Sequence, residues 1–472
     1  MKRILLSLML VTFAAMGCKA QSPGTVYEPV RFEDGTAVAD DAEAEALFAQ
    51  DRFLTDTTVT GKGDTLFVVK HASAFVLIQL DGLPADAGID RISLIPMTGD
   101  ITEIPVTVSE SGSFVMWMAK EPGSIPATAA LAQGVDGRIW SVRLRALELE
   151  PGIAYRWVGT CLLPEAPPAN LKATPLPQTL MDIESGEYSG ITHISGNRYA
   201  VVDDNLKGGG LLFFHIPIDP DGNVGAVAMQ PAEGTVKATG KAQDCEGVAY
   251  VPSAGTLFIS TEKQVIREYD LAGRETGKIL RIPEDLGVKQ IQSNRGFEAL
   301  TFNDATGLFW TVTEAPLKQD TFLPRILRLQ SFQNDGEPGE RFFYRMEEPS
   351  QTSQNTTAYV YGVPTLAALD DGRLIVLERE VYVPKGSFWD KLGNSFTKTS
   401  LYLVDPASDT AGILRKSLLC SFRTGALDLA NFEGMCLGPT LPDGRRCLVL
   451  IADSQKGSGG LTQEYVKVIL LQ

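Results

Sequence analysis

The feature that most limits what this chain can fold into is a hairpin that it repeats five times. "CEGVAYVPSAGTLFISTEK" (245–263) can be laid beside "FEALTFNDATGLFWTVTEAPLK" (297–318). In both, 16 residues separate two glutamates, Glu246 from Glu262 and Glu298 from Glu314. "YSGITHISGNRYAVVDDNLK" (188–207) and "VPTLAALDDGRLIVLERE" (363–380) are the same hairpin with a turn two residues shorter, holding Ser189 with Asp203 and Pro364 with Glu378. "FEGMCLGPTLPDGRRCLVLIADSQK" (432–456) has a longer turn and the pair Glu433 and Asp453.

Each copy is two apolar runs split by a polar turn, the pattern of paired strands. Further strand-like segments follow, such as "VIREYDLAG" with "TGKILRIP" and "TSLYLVDP" with "GILRKSLLCSF". The copies start at intervals of 52 to 69 residues. Four short strands per repeat at a spacing of about 40–70 residues mark a β-propeller. The expectation is an all-β chain whose residues 166–472 form a propeller. Five blades are counted, six if a degenerate blade occupies 318–362. The last copy stops after its third strand, "EYVKVILLQ" (464–472), so "ATPLPQTLMDI" (173–183) is expected to complete it.

Upstream, residues 25–165 lack a period. "DTLFVVKHASAFVLIQL", "DRISLIPMT" and "RIWSVRLRALELEPGIAYRWVG" alternate as strands between Gly, Pro and Asp turns, which predicts a β-sandwich. The last of these phrases resembles the closing strand of immunoglobulin-like modules in bacterial surface lipoproteins. A spacer role is the simplest one. "LLPEAPPANLKATPLPQ" (162–178) reads as a semi-rigid linker.

The chain opens with Met1-Lys2-Arg3 and an apolar run from Ile4 to Met16, the length of a signal-peptide core and short of the ~20 residues of a spanning helix. Ala15-Met16-Gly17-Cys18 resembles a lipobox, with residues 1–18 as the lipoprotein signal and Cys18 as the lipidated residue; secretion after ordinary cleavage is the alternative. No later stretch is long and apolar enough to span, so membrane attachment is expected through the lipid alone, at the bacterial cell envelope. Lys and Arg number 42 against 58 Asp and Glu, which argues against a nucleic-acid partner. Beyond Cys18 stand Cys161, Cys245, Cys420, Cys436 and Cys447. Cys436 and Cys447 flank a turn and can face each other across a hairpin, and the odd count leaves a thiol over.

In a propeller the first strand of each blade lines the channel and the second runs antiparallel to it. The start of one and the end of the other then share one face. Ser189, Asp203, Glu246, Glu262, Glu298, Glu314, Glu378, Glu433 and Asp453 are therefore expected around one mouth, with Asp204 beside them. Bases follow closely: Lys207, Lys263, Lys318, Arg379 and Lys456. Carboxylates crowded in a low dielectric raise one another's pKa. A hard cation such as Ca²⁺, taking six to eight oxygens, relieves that, and the bases then face an anionic ligand. Alternatively acids and bases satisfy one another, and the ring is architecture.

Together "SGI…YAVVDD", "DCEGVAY…GTLFISTE…IREYDLAGR", "GFEALTF…LFWTVTEA", "LIVLERE" and "NFEGM…IADSQ" resemble the bacterial family described as having esterase-like activity of phytase, over about residues 175–472. The SdiA-regulated periplasmic propellers share part of these phrases. The resemblance implies a propeller that hydrolyses small-molecule esters or phosphoesters, with calcium assistance. It carries onto this chain the motif acids and Arg379, with Glu298, Glu314 and Arg379 as catalytic candidates and the five bases as substrate-binding candidates. No G-x-S-x-G elbow is present, and His193 and His215 fall inside expected strands, so a serine triad is not expected. A non-catalytic platform for a surface protein or glycan is the other reading, because fold alone does not choose.

Overall fold

The computed structural model describes residues 25–38, 42–59, 65–97, 102–163, 166–204, 210–231, 244–320, 323, 325–407, 411–425, 427–454 and 462–472. It is all-β apart from two short helices and a few 3-10 turns among these residues. The described residues of 1–164 with those of 410–412 form one compact unit, and those of 165–409 and 413–472 form another.

In the first unit two four-stranded sheets bury a common core. One holds Thr102–Ile104, Ile89–Pro96, Thr128–Gly134 and Ile139–Leu144, and the other Arg31–Phe32, Ile153–Thr160, Ala74–Asp81 and Phe114–Lys120. Val76, Ile78, Ile92, Leu94, Ala130 and Trp157 meet between them. The second sheet is mixed, since Ile153–Thr160 runs parallel to Ala74–Asp81. A helix, Ala42–Gln50, departs from the all-strand expectation for 25–165. Its run of Ala and Glu favours helix over strand, and Ala44 and Phe48, one turn apart, bury one face near Phe75 and Trp117.

The second unit consists of five four-stranded antiparallel sheets. In chain order their first and second strands are Tyr188–Ser195 with Arg198–Asp203, Cys245–Val251 with Thr256–Thr261, Ala299–Asn303 with Leu308–Val312, Thr356–Ala368 with Leu374–Pro384, and Asn431–Thr440 with Arg446–Asp453. We number the sheets 1 to 5. Ala173–Leu180 pairs with Tyr465–Leu471 and supplies the outer strand of sheet 5, as its position in the sequence led one to expect. Residues 318–362 contribute the outer strands Ile326–Phe332 and Pro338–Arg345 of sheet 3 and the start of sheet 4, not a sheet of their own.

The first strands touch in succession, sheet 1 to 2, 2 to 3, 3 to 4 and 4 to 5, and the first strand of sheet 5 lies against that of sheet 1. Each neighbouring pair of sheets shares an apolar core. The strand around "CLVLIA" shows how: Cys447, Val449 and Ile451 enter the core shared with sheet 1, while Leu448, Leu450 and Ala452 enter the core shared with sheet 4. Side chains alternate faces along a strand, so a strand covered on both sides must be apolar throughout. Each buried aliphatic side chain contributes about 1.5–3 kcal/mol relative to exposure. The five cysteines from Cys161 on are free thiols, and Cys436 lies opposite Val449 rather than Cys447.

Candidate functional site

The first position of the repeated pair is set by a local irregularity. In sheets 1, 2 and 5 the register of the first strand slips around Ser189, Glu246 and Glu433, between Tyr188 and Gly190, Cys245 and Val248, and Phe432 and Gly434. A bulge of this kind re-aims a side chain out of the ladder. The glycine after each acid or serine answers a separate need. A Cβ on Gly190 would lie 2.6 Å from the Glu246 carbonyl oxygen, one on Gly247 2.8 Å from that of Glu298, and one on Gly434 2.8 Å from that of Ser189. The recurring Ser-Gly and Glu-Gly steps thus let the backbones of neighbouring sheets approach where the acids emerge.

Arg379, the second-strand residue opposite Gly362, organises what emerges. It is almost wholly buried. Its Nη2 donates to Glu314 Oε1, and its Nη1 to Glu433 Oε1 and, at 2.9 Å, to Asn431 Oδ1. Asn431 also donates to Glu433 Oε1 at 2.9 Å. The second oxygen of Glu314 accepts from Nη1 of Arg295, whose side chain remains 25% exposed. Burial opposes the charge on Arg379, yet Glu433, Glu314 and Glu298 outweigh it and hold its pKa above the ordinary value. Arg379 Nε is buried without an acceptor.

Around this ion cluster sits an excess of acid. Burial, then the charges of Glu314 and Glu246, push Glu298 well above the usual carboxylate range, against the pull of Arg379. Burial, then Glu433, Asp204 and Glu262, do the same to Glu246. Glu433 is raised mainly by burial, with Arg379 pulling it back. Burial together with the hydrogen bond and charge of Glu187 brings Asp204 up to about 8. Glu262 is raised by burial although its carboxylate accepts the Gly296 N–H at 3.0 Å. The set therefore favours protonated acids beside carboxylates held by guanidinium.

Other expected members have partners of their own. Glu378 is buried outside the cluster, accepting from the Tyr344 hydroxyl and Lys416 Nζ, each at 2.6 Å, and from Tyr361 and the Glu347 N–H, each at 3.0 Å. Asp203 is buried and accepts the Glu187 N–H at 3.1 Å. Asp453 is buried opposite Asn431. Lys263 is exposed, and Lys318 donates to the Lys289 carbonyl at 3.2 Å. Lys207, Lys456 and Cys18 lie outside the described residues. Within the cluster the bases that reach the acids are arginines, and neither Arg295 there nor Lys416 on Glu378 was foreseen. Arg295 sits in "SNRGFE" one residue after Asn294, whose φ is +57°, a local turn signal that points to no partner.

Chemically, the cluster offers a proton donor, carboxylates and guanidinium groups close together. It does not fit a metal as it stands. Both oxygens of Glu314 and one of Glu433 are taken by arginines, and no group of three or more His, Cys, Asp or Glu among the described residues is placed to hold an ion. A comparison with curated proteins finds no match. The family described as esterase-like activity of phytase matches residues 183–455, a span that runs from the approach to sheet 1 into sheet 5 and takes in every acid and arginine of the cluster, and the chain belongs to this phytase-like family.

Proposed function

We propose that sheets 1 to 5 are the blades of a five-bladed propeller and that the acid–arginine cluster at its channel mouth hydrolyses a small ester or phosphoester. The cyclic contact of the first strands and the shared cores support the propeller. The observation that carries the activity is the raised Glu298 beside the clamped Glu314 within a family of esterase-like description. Two carboxyls that disfavour joint ionisation divide naturally into one acid and one base. In this reading Glu298 and Glu246 hold one proton between them. Glu246, as the ionised member of the pair, takes a proton from water while the water oxygen attacks the ester carbon or phosphorus. Glu298, as acid, gives its proton to the departing oxygen. Arg295, the more exposed guanidinium, faces the anionic part of the substrate or the developing oxyanion. Glu314 and Arg379 hold the frame. No step is routed through calcium.

The test is hydrolysis of nitrophenyl acetate, nitrophenyl phosphate and phytate by the chain from residue 22, with Ca²⁺ and with EDTA. Turnover by the native protein that is lost in Glu298→Gln with the fold intact supports the proposal. Turnover only with added Ca²⁺ would restore a metal role and displace the metal-free scheme. No turnover on any substrate overturns the activity.

One observation favours a second reading, a non-catalytic platform for a surface protein or glycan: Arg379 and Arg295 together occupy both oxygens of Glu314. Attachment to the envelope through a lipid on Cys18 belongs to the same proposal and rests on the sequence motif. Among the described residues no helix is long and apolar enough to cross a membrane. Cys18→Ala is expected to move the protein from the membrane fraction to the soluble one.

A further inference from the structure

We propose that the opposite end of the same five first strands is a second binding site, for a small uncharged ring rich in hydroxyls, such as a single sugar unit. The acid cluster gathers where these strands begin. Where they end lies a separate cavity of about 190 Å³, lined by residues of all five sheets, among them His193, Tyr250, Phe302, Asp370 and Arg446. It is smaller than the about 300–1,000 Å³ of pockets for drug-sized ligands, so its occupant is a single small ring.

The polar groups specify the occupant further. Arg446 spends Nη1 on Thr440 Oγ1 at 2.9 Å and only approaches Asp370 at 3.9 Å. Its side chain stays 33% exposed and lines the cavity, so Nη2, 3.9 Å from Asp370, is the donor that a ligand reaches. A bond from a guanidinium is charge-assisted and favours a ligand that accepts from it. His193 contacts the Gly196 carbonyl through Nε2 at 2.8 Å, which requires the proton on that nitrogen and leaves Nδ1 as acceptor when the ring is neutral. Burial, and then the charge of Arg446, hold the ring toward that neutral form against the Gly196 bond. Asp370 and Asp304 add exposed carboxylate acceptors at the rim.

The ligand must therefore accept a bond from Arg446 and donate to an imidazole and carboxylates. A cation meets Arg446, and an anion meets the two aspartates. Hydroxyls, each donor and acceptor at once, match both sets without net charge. Phe302, packed on Phe309 with centroids 4.6 Å apart, offers an apolar surface for the face of a ring.

Isothermal titration of the intact protein with glucose, galactose and N-acetylglucosamine, and with glycine and acetate as charged comparators, tests this. Saturable binding of at least one sugar is expected, weakened about tenfold by loss of one charge-assisted bond in Arg446→Met. The exposed Asp370→Asn, which leaves the fold untouched, should weaken it severalfold. Glu298→Gln at the other end should leave it unchanged. Binding of glycine or acetate but no sugar, no binding at all, or sugar binding that Glu298→Gln abolishes and Asp370→Asn does not affect would each overturn the proposal.

Discussion

Arg379 of sheet 4 donates to Glu314, which follows the second strand of sheet 3, and both side chains are almost wholly buried. The same guanidinium reaches Glu433 of sheet 5, so one side chain joins three sheets where their first strands converge. Removing one partner from a buried ion pair leaves an uncompensated charge and costs about 3–5 kcal/mol. Arg379→Met should lower the unfolding free energy obtained from urea titration by that amount. A change within 0.5 kcal/mol of native, a threshold typical of surface substitutions, would mean that the pair is not buried in solution.

The elevated acids set the pH dependence. A carboxyl whose pKa is higher folded than unfolded binds more protons in the folded state, so stability falls as pH rises between the two values. For Asp204 that window runs from the ordinary value of 3.8 up to about 8. Urea midpoints at intervals across it should decline, and Asp204→Asn should flatten the decline. A midpoint that instead rises with pH through this window, and is unaffected by the substitution, contradicts the assignment.

Activity should follow the division of roles. Loss of a general acid typically lowers the rate by about 10²–10⁴-fold, and Glu298→Gln should fall in that range in kcat with little change in KM. Arg295→Gln should act chiefly on KM. Equal effects of both on kcat alone would assign Arg295 to the reaction centre.

The glycines that admit neighbouring backbones give a steric test. Gly190→Ala puts a methyl 2.6 Å from the Glu246 carbonyl oxygen, and overpacking of this kind costs about 1–3 kcal/mol. Gly393→Ala, in the helix Phe388–Asn394 with nothing within 4 Å, should be neutral or stabilising. Thermal melts of the two variants compare them directly.

A buried polar network elsewhere predicts a second sensitive point. Arg328 donates to both oxygens of Asp320, at 2.7 and 2.9 Å, and to Asp285 at 2.6 Å, with Arg341 also on Asp285. Asp320→Asn removes a charge facing a fully buried guanidinium. It should destabilise by about 3 kcal/mol or more, read as a lower denaturation midpoint with unchanged hydrolysis kinetics at ambient temperature.

Much of the fold could be read from the residues. The five hairpins, their order and the late return of 173–180 to sheet 5 follow from apolar runs of strand length and turns rich in Gly, Asp and Asn. The helix Ala42–Gln50 was less legible because it is short and lies in a segment otherwise patterned as strands. The site was half legible. Glu246, Glu298, Glu314 and Glu433 stood out by recurrence. Arg295 and Asn431 occur once each, so repetition could not mark them, and Lys263 was a base in the right place along the chain but is exposed.

The adjacent pair Glu378 and Arg379 separates the two kinds of information. The sequence by itself determined that an acid recurs at or near the end of the apolar run of every second strand, because each repeat is a copy of one hairpin. Which neighbouring sheet each of the two buried side chains meets was decided by tertiary structure. Glu378 follows the face of Leu374 and Val376 toward sheet 3 and meets Tyr344, while Arg379 follows Ile375 and Leu377 toward sheet 5 and meets Asn431 and Glu433. The register slip between Gly362 and Thr365 lies at this point. In a structure of period two, a shift of one residue exchanges the faces. Repeats in the sequence record how often a hairpin recurs, whereas the partner that an acid finds depends on the neighbouring sheet.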